Sequence, residues 1–92
     1  MIDPKDITTS GIKVLKVLHN DGPDGYSVAR IKDARGITYL GMRWNGSDED
    51  SAKGYPTARG FPVFFTVPYE LEPVLSGFYR ENPRTLARAL TQ

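Results

Sequence analysis

Apolar and polar positions alternate most clearly between residues 26 and 44. Tyr26-Ser27-Val28-Ala29-Arg30-Ile31-Lys32 and Ile37-Thr38-Tyr39-Leu40-Gly41-Met42-Arg43-Trp44 have the period of two that sends successive side chains to opposite faces of a strand. Between them, Asp33-Ala34-Arg35-Gly36 suits a type I turn closed by a left-handed glycine, so residues 26–44 are predicted to form a β-hairpin. Upstream, residues 12–19 fit both a helical stripe (Val14, Leu15, Leu18) and a strand face (Ile12, Val14, Leu18). Their β-branched content and the preceding Gly11 favour a strand. The turn formers Asn20-Asp21-Gly22-Pro23-Asp24-Gly25 then reverse the chain.

The flanks of this region are less regular. Asp3 as N-cap and Pro4 at the first helical position predict at most one helical turn before Ile7. Residues 45–60, with Asn45-Gly46, Asp48-Glu49-Asp50, Gly54, Pro56 and Gly60, read as a 16-residue loop. Residues 62–67 read as a strand near a sheet edge, bounded by prolines. Pro68 can open a turn of helix through Leu71, which Pro73 ends or kinks before a second piece over residues 74–79. Asn82-Pro83 marks another helix start, with Leu86, Ala87 and Leu90 on one face. The expected fold is α+β: a small curved antiparallel sheet of three to four strands with one or two short C-terminal helices. Leu40, Met42 and Trp44 share one sheet face, and Ile37, Tyr39, Gly41 and Arg43 the other. With apolar groups on both, either the sheet coils strongly at Gly41 or one face keeps its aromatics for a partner.

Composition narrows the chemistry. The 92 residues suffice for one small domain, and 39% hydrophobic with 25% charged residues is a folding composition. A net charge of +1 supplies no bulk field for nucleic acid or membrane. With no Cys and one His, disulfides, thiol nucleophiles and cysteine-based zinc sites are excluded, and no cofactor is implied. The longest unbroken apolar run, Val63-Phe64-Phe65, is far too short to span a membrane, and Met1-Ile2-Asp3-Pro4-Lys5-Asp6 lacks the form of an export signal. The expected location is therefore cytoplasmic.

The densest functional constellation runs from Gly41 to Pro62. Arg43, Trp44, Tyr55, Arg59 and Phe61 combine guanidinium forks with large aromatics, the residue types enriched at interface hot spots, and so form the candidate partner-binding surface. A structural role competes with this: Trp44 and Phe61 would plug the sheet end while Arg43 and Arg59 pair with the nearby acidic run. A second candidate partner is single-stranded nucleic acid, held by Tyr26, Arg30, Lys32 and Tyr39 with the same aromatics. The near-neutral charge and the missing RNA-recognition fingerprint weigh against it. Asp48-Glu49-Asp50 lacks the alternating ligands and central glycine of a calcium loop. His19 beside Asp21 could form a general-base pair, but no nucleophile signature accompanies it, and Glu70 and Glu72 read as helix-end charges. The expectation is a non-enzymatic module that binds a protein partner. An uncovered edge strand or Val63-Phe64-Phe65 is also a candidate contact for a homodimer.

Arg43-Trp44-Asn45-Gly46, then Gly54-Tyr55-Pro56-Thr57-Ala58-Arg59-Gly60-Phe61-Pro62 with Phe64-Phe65 and Pro68, resembles a pattern in short bacterial proteins, including ones from mobile elements such as integron gene cassettes. The resemblance covers residues 26–72. It implies a small bacterial accessory protein and carries no activity or site residue.

Overall fold

Three antiparallel strands, Lys13–Asn20 (β1), Tyr26–Lys32 (β2) and Thr38–Trp44 (β3), dominate the computed structural model, which describes residues 1–48 and 52–79. Three two-residue strands follow: Thr57–Ala58 (β4), Phe61–Pro62 (β5) and Phe65–Thr66 (β6). β6 adds to the outer edge of β3, giving a sheet of order β1-β2-β3-β6, while β4 and β5 pair only with each other. A 3-10 turn over Tyr69–Leu71 leads into the helix Glu72–Phe78 (α1). The α+β architecture is the expected one. The helix start at Asn82 lies outside the described residues.

The hairpin forms where the alternation is cleanest. β2 and β3 pair without interruption from Lys32 opposite Thr38 to Tyr26 opposite Trp44. At its tip, the Asp33 carboxylate accepts from the Arg35 and Ile37 backbone N–H groups at 2.9 and 3.0 Å, and Gly36 takes φ 85°. Residues 12–19 resolve as strand. β1 pairs with β2 through two register irregularities, and its Lys13 and Lys16 side chains are exposed. Bulges and lysines on an edge strand discourage pairing with a second chain.

One sheet face is covered and the other is covered in part, so both carry apolar groups. On one, Ala29 and Ile31 pack with Ile7 from the N-terminal turns and with Phe64. Pro4–Asp6 forms the expected single turn, capped by Asp3 through the Lys5 N–H at 3.1 Å. Gly41 is required by this layer: a Cβ there would fall 2.9 Å from the Phe64 Cβ. It makes room for a close-packed ring. On the other face, Val28, Leu40 and Val67 are buried together, with Leu75 of α1 and Tyr79 just past its end against them.

Three expectations change. Residues 45–60 are not wholly loop, because Trp44 bridges Tyr55 and β4 pairs with β5. The segment read as one strand over residues 62–67 is split between two sheets. Pro73 does not end a helix; it occupies the first turn of α1, where its missing N–H costs nothing.

The helix is fastened by a buried ion pair. Arg30, 3% exposed, sends its guanidinium from β2 to the Glu72 carboxylate at 2.5 Å and to the Ser76 hydroxyl at 3.2 Å. Replacing one partner leaves the other charge poorly compensated. Arg30→Met should therefore lower stability by about 3 kcal/mol in denaturant unfolding; a change within about 0.5 kcal/mol, typical of a surface substitution, would show that the pair does not anchor α1.

Candidate functional site

At the Trp44 end of the hairpin, the face that α1 only partly covers opens into a groove of about 410 Å³. Its walls follow from strand register. Tyr26 lies opposite Trp44, Met42 opposite Phe65, and Trp44 opposite Tyr55, so all five side chains share one face. Arg43 and Pro56 complete the lining. The Tyr26 and Trp44 rings meet edge to face, with centroids 6.1 Å apart and planes at 76°. Trp44, Tyr55 and Phe65 are 58, 67 and 61% exposed, values that place them on the surface and not in a core.

Backbone pairing holds Tyr55 against the sheet. The Trp44 N–H donates to the Tyr55 carbonyl at 2.7 Å, and the Tyr55 N–H returns the bond at 3.0 Å. Gly54 makes this approach possible: its φ is +64°, and a Cβ there would lie 2.1 Å from the Trp44 carbonyl oxygen. No side chain fits that position.

Behind the groove, Arg43 is 3% exposed. Its guanidinium donates to the carbonyl oxygens of Lys53 and Val63 and, at 3.5 Å, of Pro56. The Phe64 ring centroid is 6.0 Å from its central carbon. Among the described residues no carboxylate pairs with it, and its Nε–H is buried without an acceptor. Burial pushes the guanidinium pKa below its ordinary value. Arg43 is thus a clamp on three loop carbonyls and not an outward-facing contact residue.

The other candidate residues are dispersed. Trp44 and Tyr55 meet in the groove, whereas Arg59 and Phe61 are exposed outside its lining. Arg59 occupies the β4–β5 turn with φ 53°, and Lys53 Nζ lies 6.0 Å from the Phe61 ring centroid. The set proposed for nucleic acid divides between the two faces. Tyr26, Arg30 and Lys32 alternate onto the α1 side with Arg30 buried, while Tyr39 lies on the opposite side and accepts from Arg35 at 2.8 Å. They form no continuous stacking platform. Met42 and Pro56 fall within the sequence constellation without being chosen as contacts, and Phe65 is named there only as part of a candidate homodimer contact; the pairing of β3 with β6 and Tyr55 brings them into the lining.

Two polar assemblies border the groove. Asn45, 1% exposed, accepts from the Ser27 hydroxyl at 2.6 Å and donates to Gly22 O at 2.9 Å and Asn20 Oδ1 at 3.1 Å, joining the β1–β2 loop to the end of β3. His19 stacks on Tyr26 and Tyr79, with centroids 4.7 and 5.1 Å away, and its Nε2 lies 2.7 Å from Asp21 Oδ1 without hydrogen-bond geometry. The imidazole packs against these two rings. Among the described residues, no three His, Cys, Asp or Glu side chains gather as a metal site, and no helix is long and apolar enough to cross a membrane. Comparison with protein-family models, curated proteins and solved structures finds no match, so the geometry carries the functional reading.

The Tyr26 and Tyr79 hydroxyls are 2.6 Å apart, tying the end of α1 to the groove wall. Burial, and then the bond to Tyr26, push the Tyr79 phenol up to about 12. Because its folded pKa exceeds the unfolded value near 10, its stabilisation is complete below pH 10 and is lost as pH rises toward 12. The stability difference between the wild type and Tyr79→Phe, about 1 kcal/mol at neutral pH, should shrink across that alkaline window in urea unfolding. A difference independent of pH would contradict the hydroxyl pairing.

Proposed function

We propose that this protein is a non-enzymatic binding module whose groove takes an apolar side chain from a protein partner. The observation that carries this is the groove itself: Trp44, Tyr55 and Phe65 stand more than half exposed around about 410 Å³ of open space. Large aromatics left exposed around a concavity are the usual anchors of protein recognition. Their backbones are held by sheet pairing, so little ordering cost accompanies binding. The setting we assign is the bacterial cytoplasm, as an accessory protein of the kind that the 26–72 pattern resembles.

Nucleic acid is the less favoured partner. Arg30, named for it, and Arg43 behind the groove are both buried, which leaves the groove without accessible phosphate-binding forks. Selection of a random peptide library on the immobilised protein should enrich sequences with a large apolar anchor. Trp44→Ala or Tyr55→Ala should weaken the selected peptides by roughly tenfold or more, while Ile37→Ala at the hairpin tip leaves them unchanged. Labelled single-stranded DNA and RNA should not bind at low salt. Failure of any peptide to enrich, or tight salt-sensitive binding of single strands, would overturn the proposal.

A further inference from the structure

The exposed apolar surface does not stop at the groove. Phe78, the last residue of α1, is 73% exposed, and Val74 one turn earlier is exposed as well. The Phe78 ring meets Tyr79 edge to face, with centroids 4.9 Å apart, and the Tyr79 hydroxyl bonds to Tyr26 in the groove wall. A projecting ring therefore stands beside a hollow large enough to receive one. At about 200 Å² per aromatic side chain, the exposed parts of Trp44, Tyr55, Phe65 and Phe78 amount to roughly 500 Å². That is more than half of the about 800 Å² that each partner contributes to a stable interface, and an isolated domain seldom leaves a patch of this size open. Among the described residues that line the groove, the charged one, Arg43, is buried. Two copies can thus bring this surface together without like-charge repulsion.

We propose that the occupant of the groove is a second copy of this chain, in a two-fold dimer where Phe78 of each copy enters the groove of the other between Trp44, Tyr55 and Phe65. The proposal rests on the protein-binding reading above and names the partner. Ring and hollow lie side by side on one surface, which is what a two-fold interface requires, because each contact then repeats in the opposite direction. One association removes both exposed apolar features from water.

Sedimentation equilibrium of the full chain tests this with a charge-swapped pair of variants. The wild type should be a dimer at micromolar concentration. Phe78→Arg and Trp44→Asp each put an unpaired charge into both contacts of the dimer, and each should weaken it roughly tenfold or more. Mixed one to one, the two variants should recover the dimer. The introduced guanidinium of one copy then faces the introduced carboxylate of the other, while the remaining Phe78 enters an unaltered groove. Recovery also shows that both variants are folded. Dimers undiminished in either variant, or a mixture no more associated than its components, would overturn the Phe78 contact. A wild type still monomeric at about 100 µM would overturn the dimer; selected peptides that depend on Trp44 would then leave the protein-binding reading standing, and failure to select any would remove both.

Discussion

The grip of one guanidinium on three backbone carbonyls shapes the functional end of this protein. Arg43 extends from β3 and binds the carbonyls of Lys53, Pro56 and Val63, three points on a segment that would otherwise be a long surface excursion. Once these are held, the Val63 N–H can close on the Pro56 carbonyl at 3.1 Å, and Tyr55 lies where it can pair with Trp44. The local glycines follow from the same constraint. Gly54 lets the chain pass against the Trp44 carbonyl, and Gly41 lets Phe64 pack close to the sheet beside the clamp. A lysine would serve these carbonyls poorly, because its single ammonium lacks the planar fork that spans separate acceptors.

The rest of the fold divides the labour between two faces. The N-terminal turns and Phe64 cover one, and α1 covers part of the other. Because α1 is only seven residues long, it reaches Val28, Leu40 and Tyr26 but leaves the Trp44 end of its face open. The groove is therefore the uncovered remainder of a sheet face, walled by residues whose positions are set by strand pairing. Tyr79 and His19 join the two parts, stacking and bonding at Tyr26 where the helix stops and the groove begins.

The hairpin, the β1–β2 reversal and the N-terminal turn were legible because each rests on local chemistry: strict alternation, an Asp-initiated turn ending in Gly36, an Asp-Pro cap. What escaped were contacts between distant segments. Arg30 and Arg43 look alike in sequence to any exposed arginine on a strand; their burial depends on Glu72 and on loop carbonyls that no local pattern announces. Pro73 carries the same ambiguity, since proline both ends helices and starts them, and only the preceding 3-10 turn decides. Trp44 and Phe61 had two readings, core or surface, and the structure places both at the surface. The core is instead built from smaller residues, Val28, Ala29, Ile31, Leu40 and Val67, with Phe64 the one large aromatic among the buried described residues. Of the candidate surface, Trp44 and Tyr55 were identifiable as aromatics flanking a glycine-rich loop, while Phe65 and Met42 gained their place only through register.

The Arg43 clamp is tested most directly by amide hydrogen exchange in the wild type and in Arg43→Lys, which keeps the charge and removes the fork. If the guanidinium organises the loop, the Tyr55 and Val63 amides should exchange at least roughly tenfold faster in the variant, an opening free energy lowered by more than about 1 kcal/mol, while Val28 and Ala29 in the hairpin keep their protection. Unchanged protection at Tyr55 and Val63 would mean that the loop holds its shape without Arg43, and would contradict the account.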